Sequence, residues 1–89
     1  MPYEIKQVET TPSPRARKLI VEPAPGSIRS FFKPDDAQGD PLGEALFGIE
    51  GVTNVLIHTA FISVSIAPDQ NWKTMLPKLR AALKVAPAP

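Results

Sequence analysis

The stretch GDPLGEALFGIEGVTNVLIHTAFISVSI, residues 39–66, decides the fold, because a helix start, a glycine turn and two apolar strand patterns follow one another without a break. Asp40 offers a carboxylate to the free backbone donors of a following helix, and Pro41 takes the first helical position, where no donor is needed. Leu42, Ala45, Leu46 and Ile49 then fall at i, i+3, i+4 and i+7. That stripe must face a sheet, with Glu44 toward water, and Gly48 and Gly51 end the helix. From Val52 to His58 and from Phe61 to Ile66 the period changes to two, with β-branched enrichment. The pattern predicts two consecutive antiparallel strands joined by a tight turn near Thr59-Ala60. Ile62, Val64 and Ile66 share one face and Phe61, Ser63 and Ser65 the other, so the first face is expected to meet the helices.

Toward the N-terminus, Tyr3, Ile5 and Gln7 alternate with Glu4, Lys6 and Val8, which suits an edge strand with one wet side. Pro12 and Pro14 stop any ladder, so residues 10–15 are expected to form a loop. Arg17-Lys18-Leu19-Ile20-Val21 reads as a second strand pairing with the first, ended by Pro23-Ala24-Pro25-Gly26. Ser27 to Phe32 is a third extended segment closed by Pro34, and Asp35 to Gly39 an acidic loop with room for one helical turn. Toward the C-terminus, Asp69 or Asn71 caps a second helix whose stripe is Trp72, Met75, Leu76, Leu79 and Leu83. Proline in a helix interior costs about 3 kcal/mol, so Pro77 predicts a separate turn over Asn71–Thr74 and a main helix entered near Pro77. Lys78, Arg80 and Lys84 then face solvent. The expected class is α+β: a two-layer sandwich, with a mainly antiparallel or mixed sheet of four to five short strands and two helices on one face.

Composition narrows the chemistry. With 89 residues the chain is expected to form one domain, residues 1–86, with 87–89 a tail or the start of a linker. A fold of this size buries about 60–65% of its extended-chain surface, which leaves little room for a deep cavity. The absence of cysteine excludes a disulfide framework, a thiolate nucleophile and a cysteine-held cluster or zinc site. A formal charge of +1 gives no field to recruit nucleic acid or an anionic membrane. The start, MPYEIKQVE, lacks a secretory signal, and no apolar run approaches a membrane span; a cytoplasmic location is the expectation. No Ser/His/Asp order, nucleotide loop or paired-carboxylate arrangement points to catalysis.

Several motifs taken together resemble a known family. They are Thr11-Pro12-Ser13-Pro14, Lys18-Leu19-Ile20, Gly39-Asp40-Pro41-Leu42, Ala45-Leu46-Phe47, Gly51-Val52 with Val55, Phe61-Ile62-Ser63-Val64, and Trp72 followed by Pro77. In order and spacing they resemble the N-terminal domain of the Nfu/NifU-type iron-sulfur scaffold proteins over nearly the whole chain. The resemblance implies a two-layer α+β domain and a non-catalytic role in iron-sulfur cluster assembly, binding assembly factors or client proteins. Complete family members hold their cluster through a Cys-x-x-Cys pair in a second domain, chemistry this cysteine-free chain does not have. The family also tends to carry Asn between the early prolines and an acidic residue before the Phe61 position, where this chain has Ser13 and Ala60.

Candidate site residues are few. His58 at a strand end, with Asp35 and Asp36, supplies the donor types a metal such as iron would need; each also fits a half-buried strand histidine and a solvated acidic loop. Arg15, Arg17 and Lys18 form the basic cluster, readable as a docking surface for an acidic partner or as charges that protect an edge strand. Phe31, Phe32, Phe47 and Trp72 are candidates for an exposed aromatic anchor, although two or three are needed for the core. Three functional readings follow: a monomeric interaction domain for a protein partner of the iron-sulfur pathway, an iron-binding protein using His58 and acidic residues, or an adaptor unrelated to clusters.

Overall fold

A computed structural model describes residues 3–86; the expected tail at 87–89 lies outside them. Its strands are β1 (Glu4–Thr10), β2 (Ala16–Glu22), β3 (Arg29–Phe31), β4 (Val52–Ile57) and β5 (Phe61–Ile66), with helices α1 (Pro41–Phe47) and α2 (Trp72–Val85). A single 3-10 turn, Pro34–Ala37, links β3 to α1. The strands form one sheet in the order β1-β2-β5-β4-β3, and every neighbouring pair is antiparallel. The sheet is therefore fully antiparallel, with both helices packed on one face. The layers meet through Leu19, Val21, Val55, Ile57, Ile62 and Val64 from the sheet and Leu42, Leu46, Met75, Leu79 and Leu83 from the helices, all essentially inaccessible to water.

The local signals act as physics requires. The Asp40 carboxylate accepts from the backbone N–H groups of Leu42 and Gly43, each at 3.1 Å, and Pro41 opens α1. His58 N–H donates to the Phe61 carbonyl at 2.8 Å, closing the β4–β5 hairpin over Thr59 and Ala60. The Asn71 side chain accepts from Thr74 N–H at 2.9 Å and caps α2.

Three expectations are corrected. α2 runs unbroken through Pro77, with no separate turn before it. Pro77 and Lys73, whose carbonyl loses its helical donor, are both exposed, while Trp72, Met75 and Leu79 anchor the helix on either side of the proline. α1 ends at Phe47, so Ile49 reaches the core from the following turn and not from the helix stripe. In β1 the register against β2 shifts between Ile5 and Gln7. The extra residue there, Lys6, breaks the alternation, so Val8 turns inward opposite Leu19 and Gln7 does not join Tyr3 and Ile5.

α1 and β3 approach more closely than their sequences suggest. A Cβ on Gly43 would lie 2.9 Å from the Phe31 ring and 2.9 Å from Ala37 Cβ, so only glycine lets β3 and the 3-10 turn seat on α1. α1 thus supports the β3–β4 side of the sheet, while α2 runs along the β1 side.

Candidate functional site

The sheet face away from the helices is uncovered among the described residues, and its charged side chains lie on one half. On its β1–β2 side it carries Glu4, Lys6, Glu9, Lys18 and Glu22 around Gln7 and the half-buried Ile20, joined by ion pairs Lys6–Glu4 (3.3 Å), Lys6–Glu22 (3.5 Å) and Lys18–Glu9 (3.8 Å). On its β5–β4–β3 side, strand alternation places Phe61, Ser63, Ser65, Asn54, Leu56, Ser30 and Phe32, with no lysine, arginine, aspartate or glutamate. Phe61 marks the border: Lys18 Nζ lies 4.2 Å from its ring centroid, and His58 stacks on it at 4.6 Å.

The uncharged half is not flat. Ser30, Phe32, Asn54, Leu56, Ser63 and Ser65 surround an open depression of about 340 Å³. Phe32 stands at its rim, 71% exposed, with Leu56 beside it and Ile28 exposed at the other end of β3. Of the four aromatic candidates, Phe31 and Trp72 are buried and Phe47 is partly buried against the core; Phe32 alone is presented to solvent. The period-two alternation of β5 foretold that Ser63 and Ser65 turn away from the core. The contributions of Ile28, Ser30, Asn54 and Leu56 depend on β3 pairing with β4, for which there is no local sequence signal.

The sequence-derived basic cluster is spread over two faces. Arg17 lies on the helix side, its guanidinium 5.3 Å over the Trp72 ring, whereas Lys18 projects from the open face onto Phe61. Arg15 is exposed at the loop end, where its carbonyl accepts from Ile66 N–H. The neighbouring proline loop is held down by Trp72, whose Nε1–H donates to the Pro14 carbonyl at 3.1 Å.

Nor does the fold gather the metal candidates. His58 follows the end of β4 that pairs with Arg29, while Asp35 and Asp36 follow the end of β3 that pairs with Val55, so they sit at opposite ends of the strand pair. The His58 ring Nδ1 is 3.1 Å from Thr59 Oγ1. The acidic groups are occupied with the backbone: Asp36 accepts from Phe32 N–H, Glu44 from Gly39 N–H, and Asp40 caps α1 while pairing with Arg29. Among the described residues no group of three His, Asp or Glu side chains is placed to hold a metal ion. None of their helices is long and apolar enough to cross a membrane.

The sequence model of the family described as scaffold protein Nfu/NifU N terminal matches residues 5–87. The chain belongs to this family. Relatives of this Nfu/NifU N-terminal domain include protein YpgR of Bacillus subtilis, 37% identical over 89% of the chain, and conserved virulence factor C of Staphylococcus aureus strain USA300, 27% identical over 93% of it. The chain spans only 22% of the length of each relative. The crystal structure of protein SAV1430 from Staphylococcus aureus superposes with a TM-score of 0.74 at 28% identity, covering 89% of this chain and 96% of that one. A solution structure of a NifU-like protein from Saccharomyces cerevisiae superposes at 0.73 with 20% identity, over 91% of this chain and 76% of that one, and shares the fold.

Proposed function

We propose that this Nfu/NifU N-terminal domain is a non-catalytic protein-docking module of iron-sulfur cluster assembly, and that it engages an assembly factor or client protein through the uncharged half of its open sheet face. The observation that carries the reading is the division of that face. Charged side chains there are tied into ion pairs on β1 and β2, Lys6 serving two glutamates, while β3, β4 and β5 present Phe32, Leu56 and a serine-lined depression without a single charge. An exposed aromatic beside a depression is the arrangement from which docking anchors are built, and charge-free surroundings keep desolvation inexpensive. Arg17 and Lys18 are engaged with aromatic rings, which favours the uncharged half over the basic cluster as the contact surface. The link to cluster assembly rests on membership of the family. No thiol is present, so any cluster would be held by the partner or by another domain.

The test is recovery of partners from native cells by crosslinking, with the wild-type domain and Phe32→Asp compared. Assembly factors or cluster enzymes should be recovered with the wild type and be depleted at least tenfold with Phe32→Asp. Recovery of no such protein, or equal recovery with both, would overturn the reading. Titration with ferrous iron complements it: binding tighter than about millimolar, near 4 kcal/mol, would shift the function toward iron holding.

A further inference from the structure

Both edges of the sheet end in strands, and they are finished differently. β1 carries a bulge at Lys6 and three charged side chains in ion pairs, the devices that keep an edge from pairing with another chain. β3 has none of these on the open face, where Ser30 is flanked two residues away on either side by the exposed Ile28 and Phe32.

The direction of the β3 backbone follows from the ladder. Because His58 N–H bonds to Phe61 across β4–β5, the even-numbered residues of β4 address β5, while Val55 and Ile57 address β3. Their partners Phe31 and Arg29 therefore bond inward, and Ser30 turns its N–H and C=O to the free edge. The capture of Phe32 N–H by the Asp36 carboxylate, at 3.1 Å, agrees with this direction and closes the edge one step beyond Ser30.

The geometry points to strand addition. An extended, uncharged segment of a partner protein, with apolar residues at alternating positions, pairs with β3 at Ser30 as a sixth strand and lays alternate side chains against Ile28, Phe32 and Leu56. This deepens the docking reading above and rests on it. Charge complementarity selects the occupant: with no charged group on this half of the face, a charged segment would lose its hydration without gaining a counter-ion, whereas an apolar one would not. The main-chain bonds supply register, and the Phe32 rim and the depression supply side-chain selection. The Asp36 closure limits the added strand to a few residues.

The experiment pans a phage-displayed library of random heptapeptides on the immobilised domain, then measures the selected peptides against variants. Selected sequences should carry alternating apolar residues without charge, bind wild type and Ser30→Ala alike, and bind Ser30→Pro at least tenfold more weakly, since proline removes the outward N–H. Melting of Ser30→Pro by circular dichroism checks that it is folded. Independently of any variant, amide exchange at Ser30 in the wild-type protein should slow on peptide binding. Peptides that bind Ser30→Pro normally and leave Ser30 exchange unchanged, yet are lost with Phe32→Asp, would sink strand addition while sparing the docking reading. Charged consensus sequences, no selected peptide at all, or a self-associating domain whose dimerisation Ser30→Pro abolishes would each overturn the proposed occupant.

Discussion

The β1–β2 side and the β3–β4 side of this domain share one sheet and one core, yet they solve opposite problems. The first has long strands, a bulge and paired charges, and α2 clamps it through Trp72, whose ring carries Arg17 and whose N–H holds Pro14. The second has a three-residue edge strand seated on a short helix through a glycine, and it leaves Ile28, Phe32 and Leu56 in water. On the open sheet face, charged side chains are concentrated on one side and the exposed Ile28, Phe32 and Leu56 on the other; away from that face, Val85 is exposed at the end of α2. Such segregation is costly for a small domain unless the apolar side is used.

The largest expected effect asks whether the two sides fold as one unit. Leu46 is completely buried in α1, on the β3–β4 side. Leu46→Ala should cost about 2–5 kcal/mol. Trp72 is the single tryptophan and reports from the other side, so its fluorescence and far-ultraviolet circular dichroism should lose structure at the same urea concentration. Separated transitions would show two sides that fold independently; a loss under about 0.5 kcal/mol would mean that the α1 stripe is not core.

Gly43 sharpens the contrast at the next level down. Gly43→Ala drives a methyl group to 2.9 Å from Phe31 and Ala37, in a helix where alanine is otherwise the better residue, and should destabilise by about 1–3 kcal/mol. A neutral or stabilised variant in the same urea experiment would show that β3 moves off α1 with little resistance. On the opposite side the expected effect is smaller. Glu9→Gln removes the partner of Lys18 from a pair whose side chains are 41% and 36% exposed, and should change stability by less than about 0.5 kcal/mol. A larger loss that faded in high salt would make the ion pairs a source of stability as well as an edge guard.

What sequence could reveal here follows from the range of each interaction. The cap at Asp40, the hairpin turn at Thr59-Ala60 and the alternation of Ile62, Val64 and Ile66 are set by residues within a few positions of one another, and they were legible. Pro77 misled because the helix penalty is local whereas the compensating burial of Trp72, Met75 and Leu79 is tertiary. The charge division of the open face was hidden because it depends on β2 pairing with β5, strands more than forty positions apart. Phe32 could be named as a candidate anchor but not separated from Phe31, since the alternation that exposes one and buries the other needs the β3–β4 register.

Tyr3 connects the two sides, and its expected effect is a loss of stability confined to alkaline pH. Its backbone N–H donates to Leu83 of α2 at 3.0 Å, while its ring is buried within electrostatic reach of Arg29 and Asp40 on the other side. Burial raises the phenol above its ordinary value; Arg29 opposes the rise and Asp40 adds to it. The folded protein then holds the phenolic proton more tightly than the unfolded chain. Its contribution to stability is complete below the unfolded pKa, about 10, and is lost as pH rises through the higher folded value. Tyr3 is the single tyrosine, so ultraviolet absorbance of the phenolate follows it directly. The absorbance midpoint should lie above that of the urea-unfolded protein, and Tyr3→Phe should flatten the alkaline fall in stability. A folded midpoint equal to or below the unfolded one would show that burial and Asp40 do not outweigh the pull of Arg29 on the phenol.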